Sequence, residues 1–340
     1  RMKYRDMLTP DSLYTNVKEL EQWAKQADKP MDRAILHSLI AGIYANYAAN
    51  NQWQLRQRTE IVGEAPSADM REWTANMFVE KVKTSIKEAM ADSVLLLNTS
   101  SRTYIPFVEL GETSEYYHHD MYHLLAFRSI EALQQIEGLD RATPVEAYSE
   151  DTSSKKQSPV KQDIERIYEN MLTSYKAKGD KEGCLLTNLN YLSWKRDSSK
   201  SFREPFSVKK GGTYMMTVDP YETGLDALKT EYKSSDLCAE VYLAQANYMI
   251  GKEQQTVALQ LCDESIRLYP GYRRINALKN LREDILSPSL NVTAAATAFP
   301  GEEIKIRASH KNLDGFTLRL FQAKKLIKEQ HFAVLRPEDY

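Results

Sequence analysis

Apolar residues recur every three to four positions along most of this chain, a spacing that predicts amphipathic helices. Leu13, Val17, Leu20 and Trp23 mark a first helix that Asp11 or Ser12 can cap. Lys29-Pro30 ends it and places Pro30 in the first turn of the next. Ala34, Ile35, Leu39, Ile40, Ile43, Tyr44 and Tyr47 form a second stripe, wide enough to bury, that pairs antiparallel with the first helix and breaks at Asn50-Asn51-Gln52. Residues 53–58 continue as a basic, aromatic segment. Asp69 is expected to cap one long helix over residues 70–97, carrying Trp73, Met77, Phe78, Val82, Ile86, Met90 and Val94. Residues 104–112 read as irregular. Another helix, over residues 120–137, carries Leu124, Leu125, Phe127, Ile130 and Leu133.

The periodicity disappears over residues 139–160, which predicts an exposed loop or linker. It resumes at Ile164, Ile167, Tyr168, Met171 and Leu172 and again over residues 184–194. A second polar linker, rich in Lys and Ser, is expected near residues 196–212. Beyond it, Ala246, Ala258 and Pro270 fall at the small, small and Pro positions of a tetratricopeptide unit, with Met249 and Cys262 at its apolar positions. Ser265 stands where such a unit usually has Ala. A helix over residues 274–286 would close the stack.

At residue 288 the period changes from 3.6 to 2. Leu290, Val292 and Ala294 alternate, Pro300-Gly301 turns the chain, and Ile304, Ile306 and Ala308 alternate again. After a turn at residues 312–315, Phe316, Leu318 and Leu320 make a third run. No earlier stretch reads this way, so the first sheet is expected here. The expected fold is mainly α. Stacked antiparallel helix pairs, a TPR-like α-solenoid, occupy residues 1–286, and a partial antiparallel β-sandwich occupies residues 287–340.

Composition narrows the function. The 45 basic and 47 acidic side chains nearly cancel, which removes the electrostatic case for nucleic acid or an anionic membrane surface. No apolar run reaches the length of a membrane span. Cys184, Cys238 and Cys262 show neither CxxC nor zinc-type spacing and read as small buried side chains. The sharpest chemical signal is His119 and His123 in H-D-x-x-H, where a zinc hydrolase has H-E-x-x-H. One turn apart, the two imidazoles can share one metal ion. Asp is a methylene shorter than the Glu such chemistry uses, no third ligand follows, and Asp120 is well placed as a helix cap. Gly211-Gly212 beside Lys209 and Lys210 reads as a turn. No P-loop, nucleophile elbow or dinucleotide fingerprint is present, and no cofactor is expected. The aromatic residues of the first helices read as interhelical core, with an exposed platform as the alternative. Trp53 with Arg56 and Arg58 is the candidate binding surface.

Two sets of residues carry a family resemblance. The first is the segment of residues 34–41 with Ile43, Tyr44 and Tyr47, followed by residues 51–59, Trp73 with Phe78, and the run MYHLLAFRSI at residues 121–130. The second is the Phe299-Pro300-Gly301-Glu302 strand end with EIKIRAS and TLRLF after it. Together they resemble the N-terminal helical region and the start of the first macroglobulin-type β-domain of alpha-2-macroglobulin-like proteins from Bacteroidetes-type bacteria. The resemblance implies a non-enzymatic scaffold at the N-terminus of a longer periplasmic or cell-surface protein, with residues 287–340 a truncated β-domain. It implies a protein partner, a protease among the options, engaged through the whole molecule. The Cys-Gly-x-x-Gln thioester of some members is not matched, since Gly183 precedes Cys184 and Leu185 follows it. A free-standing helical binding adaptor of the envelope is the alternative, and a zinc hydrolase using His119 and His123 a remote one.

Overall fold

Pro30 opens the helix around which the N-terminal part of the chain is built. The computed structural model describes residues 12–58, 67, 69–105, 108–109, 111, 119–139, 158–199, 206–210, 213–294, 297, 306–322 and 324–333. The chain is mainly helical with small antiparallel β pairs, and it divides into two units, Arg1–Trp194 and Lys195–Tyr340.

In the first unit, α1 (Ser12–Gln26) and α2 (Pro30–Asn50) are joined by three residues. Arg33 donates to the Ala27 carbonyl at 2.9 Å beside the turn, and Tyr44 donates to Glu21 at 3.0 Å further out, so the pair is antiparallel. Val17, Leu20, Ile40 and Tyr44 are buried between these helices and their neighbours. Trp23 and Leu39 lie on the same stripes yet stand exposed, because each stripe is wider than the surface that covers it. Asn51 ends α2, and a single turn follows, α3 (Gln52–Leu55).

Residues 70–97 are not the single helix that their periodicity predicts. Asp69 caps only a 3-10 turn, Met70–Glu72, and Trp73 is then extended. Thr74 accepts from the Met77 amide and starts α4 (Ala75–Ala89); Asp92 accepts from the Leu95 amide and starts α5 (Ser93–Asn98). Short polar side chains that bond their own backbone compete with helix continuation, and here they cut it into three. The break at Trp73 has a packing consequence. It stacks the indole on Tyr44 at 5.2 Å and sets it 5.3 Å from Phe78, which also meets Tyr47 at 5.4 Å.

Asp120 caps α6 (Met121–Ile136). Pro159 opens α7 (Pro159–Lys178), so Pro159 and Val160 belong to a helix and not to the preceding linker. Gly179, at φ 72°, reverses the chain into α8 (Lys181–Ser198), a left-handed conformation that glycine adopts without steric cost. Tyr168, Tyr191 and Trp194 form a second aromatic stack across that hairpin.

The second unit overturns the expectation that the first sheet starts at residue 288. β1 (Phe206–Lys210) pairs antiparallel with β2 (Thr213–Val218), with Val208 opposite Met216. The Gly211-Gly212 pair between alternating runs is a hairpin signal in its own right. The helices α9 (Pro220–Glu231), α10 (Cys238–Gly251), α11 (Gln255–Leu268) and α12 (Ile275–Leu286) follow. Ala246, Ala258, Cys262 and Ser265 are fully buried. Two polar networks fasten these helices. Asp219 caps α9 and accepts from Tyr248 and Lys252, each at 2.6 Å, while the buried Glu240 accepts from Tyr272 and Arg274.

β3 (Ser289–Ala294) pairs with β4 (Ile306–Lys311), and β5 (Gly315–Gln322) pairs with β6 (Lys325–Ala333), a strand the alternation did not predict. These are separate two-stranded antiparallel sheets. Asp11, the Pro300-Gly301 turn, Ile304, Gly211-Gly212, His118 and residues 140–157 lie outside the described residues.

Candidate functional site

The groove between α2 and α6 brings together several polar side chains with hydrogen-bonding capacity to spare. On α2, Leu39, Gly42, Ile43, Asn46, Tyr47 and Asn50 recur at 3-4 spacing and share one face; on α6, Arg128, Glu131, Ala132 and Gln135 do the same. These two faces frame a groove of about 540 Å³, to which Leu13 of α1 contributes.

Each polar group has a defined setting. Arg128 reaches from α6 to α2, where its Nε donates to Ser38 Oγ at 3.1 Å. A Cβ at Gly42 would stand 3.6 Å from Arg128 Nη2, so the guanidinium lies over the place where position 42 has no side chain. Among the described residues no carboxylate forms an ion pair with Arg128, Glu131 included. Asn50 Nδ2 donates to Asn46 Oδ1 at 2.6 Å, which leaves the opposite ends of both amides for other partners. Gln135 Oε1 is buried with no hydrogen-bond partner. An orphaned buried acceptor carries a desolvation cost of about 1–3 kcal/mol until a donor meets it.

Trp53 stands 73% exposed on α3, two residues from Asn51 at one end of this groove. Arg56 and Arg58 are drawn to two different carbonyls: Arg56 donates to Gly138 at 3.1 Å, and Arg58 donates to Trp73 at 2.8 Å. Gln52, beside Trp53, reaches the Gln135 carbonyl at 3.5 Å. The arginines thus tie α3 to the ends of other elements, while Trp53 presents its bulk outward. Sequence reasoning passed over Asn46, Asn50, Arg128 and Gln135. The available signal was polar residues and a glycine recurring inside an otherwise apolar helical stripe.

His119 and His123 come together as predicted, but by their faces. The ring centroids are 4.0 Å apart and the planes 13° from parallel. Imidazole lone pairs lie in the ring plane, so two nearly parallel rings aim them side by side and not at one shared point. Phe127 extends the stack, 4.5 Å from His123. Burial, helped by the neighbouring His119, depresses the His123 pKa to about 3. Asp120 is committed elsewhere: Oδ1 accepts from the His123 amide at 2.8 Å and from Tyr175 at 3.1 Å, and burial raises its pKa. Among the described residues no group of three or more His, Cys, Asp or Glu side chains gathers to hold a metal ion.

The three cysteines are free and buried. Burial raises the thiol pKa of Cys238, and that of Cys262 to about 11, the direction opposite to activation. Among the described residues, no helix is long and apolar enough to cross a membrane. No protein-family model matches the chain, and neither does any curated protein or solved structure.

Proposed function

We propose that this chain is a non-enzymatic binding scaffold, the helical lead region of an alpha-2-macroglobulin-like envelope protein that engages a protein partner. The observation that carries the binding part is the α2–α6 groove. Two long helices hold a guanidinium, a buried orphan acceptor and a pair of half-used amides at fixed positions around a concave surface. Sites built on helices are held more rigidly than sites on loops, which suits recognition without reorganisation.

The macroglobulin part draws on the closing strands. Leu290, Val292, Ile306 and Leu320 alternate as sandwich strands do, and all four are exposed. Such side chains suit a second β layer laid over them. The same reading takes α10 and α11 as one TPR-like pair, with Ala246 and Ala258 at the close approach. A free-standing adaptor of the bacterial envelope is the competing reading, and the groove serves it equally.

The test is a panel of serine and cysteine proteases mixed with the full-length protein. Residual activity is measured on a macromolecular substrate and on a short chromogenic peptide. A trap that encloses its target suppresses the first and spares the second. Equal activity on both substrates with and without the protein sinks the protease reading and leaves the adaptor.

A further inference from the structure

Accepting the α2–α6 groove as a binding site, we infer that its occupant is an extended segment of a partner protein bearing an acidic side chain, held by Arg128. The inference rests on how the groove's polar groups are spent.

Arg128 carries five N–H donors and spends one on Ser38. Ser38 directly precedes Leu39, the first α2 residue of the groove, and Arg128 is the first on α6, so this bond holds the guanidinium at that end of it. Its Nη2 lies over Gly42, where the absent side chain leaves room beneath. A guanidinium fixed at Nε presents its two terminal nitrogens as a planar fork, the geometry that matches a carboxylate bidentately.

Further along, the chemistry is that of main-chain recognition. The bond from Asn50 Nδ2 to Asn46 Oδ1 leaves the Asn46 amide N–H donors and the Asn50 amide oxygen a helical turn apart. A peptide backbone supplies N–H and C=O groups in alternation, which satisfies such a set. From Leu39 to Asn51 the α2 wall runs about 18 Å at 1.5 Å per residue. That accommodates about five residues of extended chain. Leu39 and Ile43 provide apolar contact beside the guanidinium.

The test uses fluorescence anisotropy with four pools of labelled pentapeptides randomised over neutral residues. Three pools have both ends blocked and carry Glu, Gln or Lys at the centre; the fourth carries Gln with a free C-terminal carboxylate. The expected result is that the blocked Glu pool binds about 10-fold or more tightly than the blocked Gln and Lys pools. Arg128→Gln abolishes that preference. Arg128→Lys restores only part of it, since a point charge replaces the fork. Gly42→Leu fills the space under the guanidinium and weakens every pool. If Gly42→Leu does not fold, the two Arg128 substitutions carry the test alone.

Equal binding of the blocked Glu and Gln pools overturns the carboxylate inference and leaves the groove as a peptide site. Preference for the free-terminus pool over blocked Glu overturns the side-chain assignment. No binding by any pool sinks both this inference and the groove as a peptide site.

Discussion

The packed helices around α2 and the strand pairs β3–β6 carry hydrophobic patterns of similar strength, and they end in opposite conditions. Phe78 is fully buried, meeting Tyr44, Tyr47 and Trp73, and Ile40 is nearly so. Leu320 is 60% exposed, and Phe321, next to it on the same strand, is 56% exposed. The difference lies in what stands opposite. Each helical stripe faces two or three others, whereas each strand pair consists of two strands with no layer against it among the described residues. A pattern sets local geometry; burial requires a second surface. The stabilising energy, about 25 cal/mol per Å² of apolar surface removed from water, accrues only to the second.

The largest effect that would break this contrast comes from truncating its two ends. Phe78→Ala is expected to cost about 3–5 kcal/mol, since it removes an aromatic ring from a closed cluster and leaves a cavity. Leu320→Thr is expected to change stability by less than about 0.5 kcal/mol. Urea unfolding of both variants measures this, and comparable losses would mean that the strand pair is covered in solution.

An intermediate effect follows from burial acting on ionisation. His123 is neutral in the folded protein down to about pH 3, while in the unfolded chain it protonates near pH 6.5. Between those values the unfolded state binds the extra proton, so stability is full above about pH 6.5 and declines as pH falls toward 3. His123→Phe keeps the stack on Phe127 and is expected to remove up to one proton of that dependence. Unfolding midpoints at pH 7 and pH 4 for both proteins test it. An unchanged slope in the variant would assign the acid sensitivity to other groups.

The smallest effect sharpens the contrast inside the second unit. Ser265 is fully buried and its hydroxyl has no hydrogen-bond partner. Ser265→Ala removes an unsatisfied polar atom and raises helix propensity, so a gain of about 1 kcal/mol is expected in thermal or urea unfolding. A loss would reveal a bonded hydroxyl.

How much of this was legible beforehand follows the same physics. The α1–α2 hairpin, the Pro30 start, the Asp120 cap and the alternating runs that became β3, β4 and β5 were readable, because caps and periodicity are local. The division of residues 70–97 was not, since Thr74 and Asp92 interrupt the helix while the apolar spacing runs through. The β1–β2 hairpin was hidden by Lys209, Lys210 and the double glycine, which read as linker. For the site, the sequence pointed at Trp53 and the histidine pair, where residue types are conspicuous. It did not point at Arg128, Asn46 or Gln135, whose meaning arises only when two helices with 70 residues between them along the chain are laid face to face.

The placement of the four tryptophans has an optical consequence. Trp23, Trp53, Trp73 and Trp194 all belong to the first unit, and residues 195–340 contain none. Indole emission therefore originates in one unit alone. Within the first unit, Trp73 and Trp194 sit in aromatic stacks, whereas Trp23 and Trp53 face water. A soluble quencher such as iodide reaches the exposed pair and spares the stacked one. The unquenched fraction becomes a direct optical gauge of the core, read separately from whatever fills the groove beside Trp53.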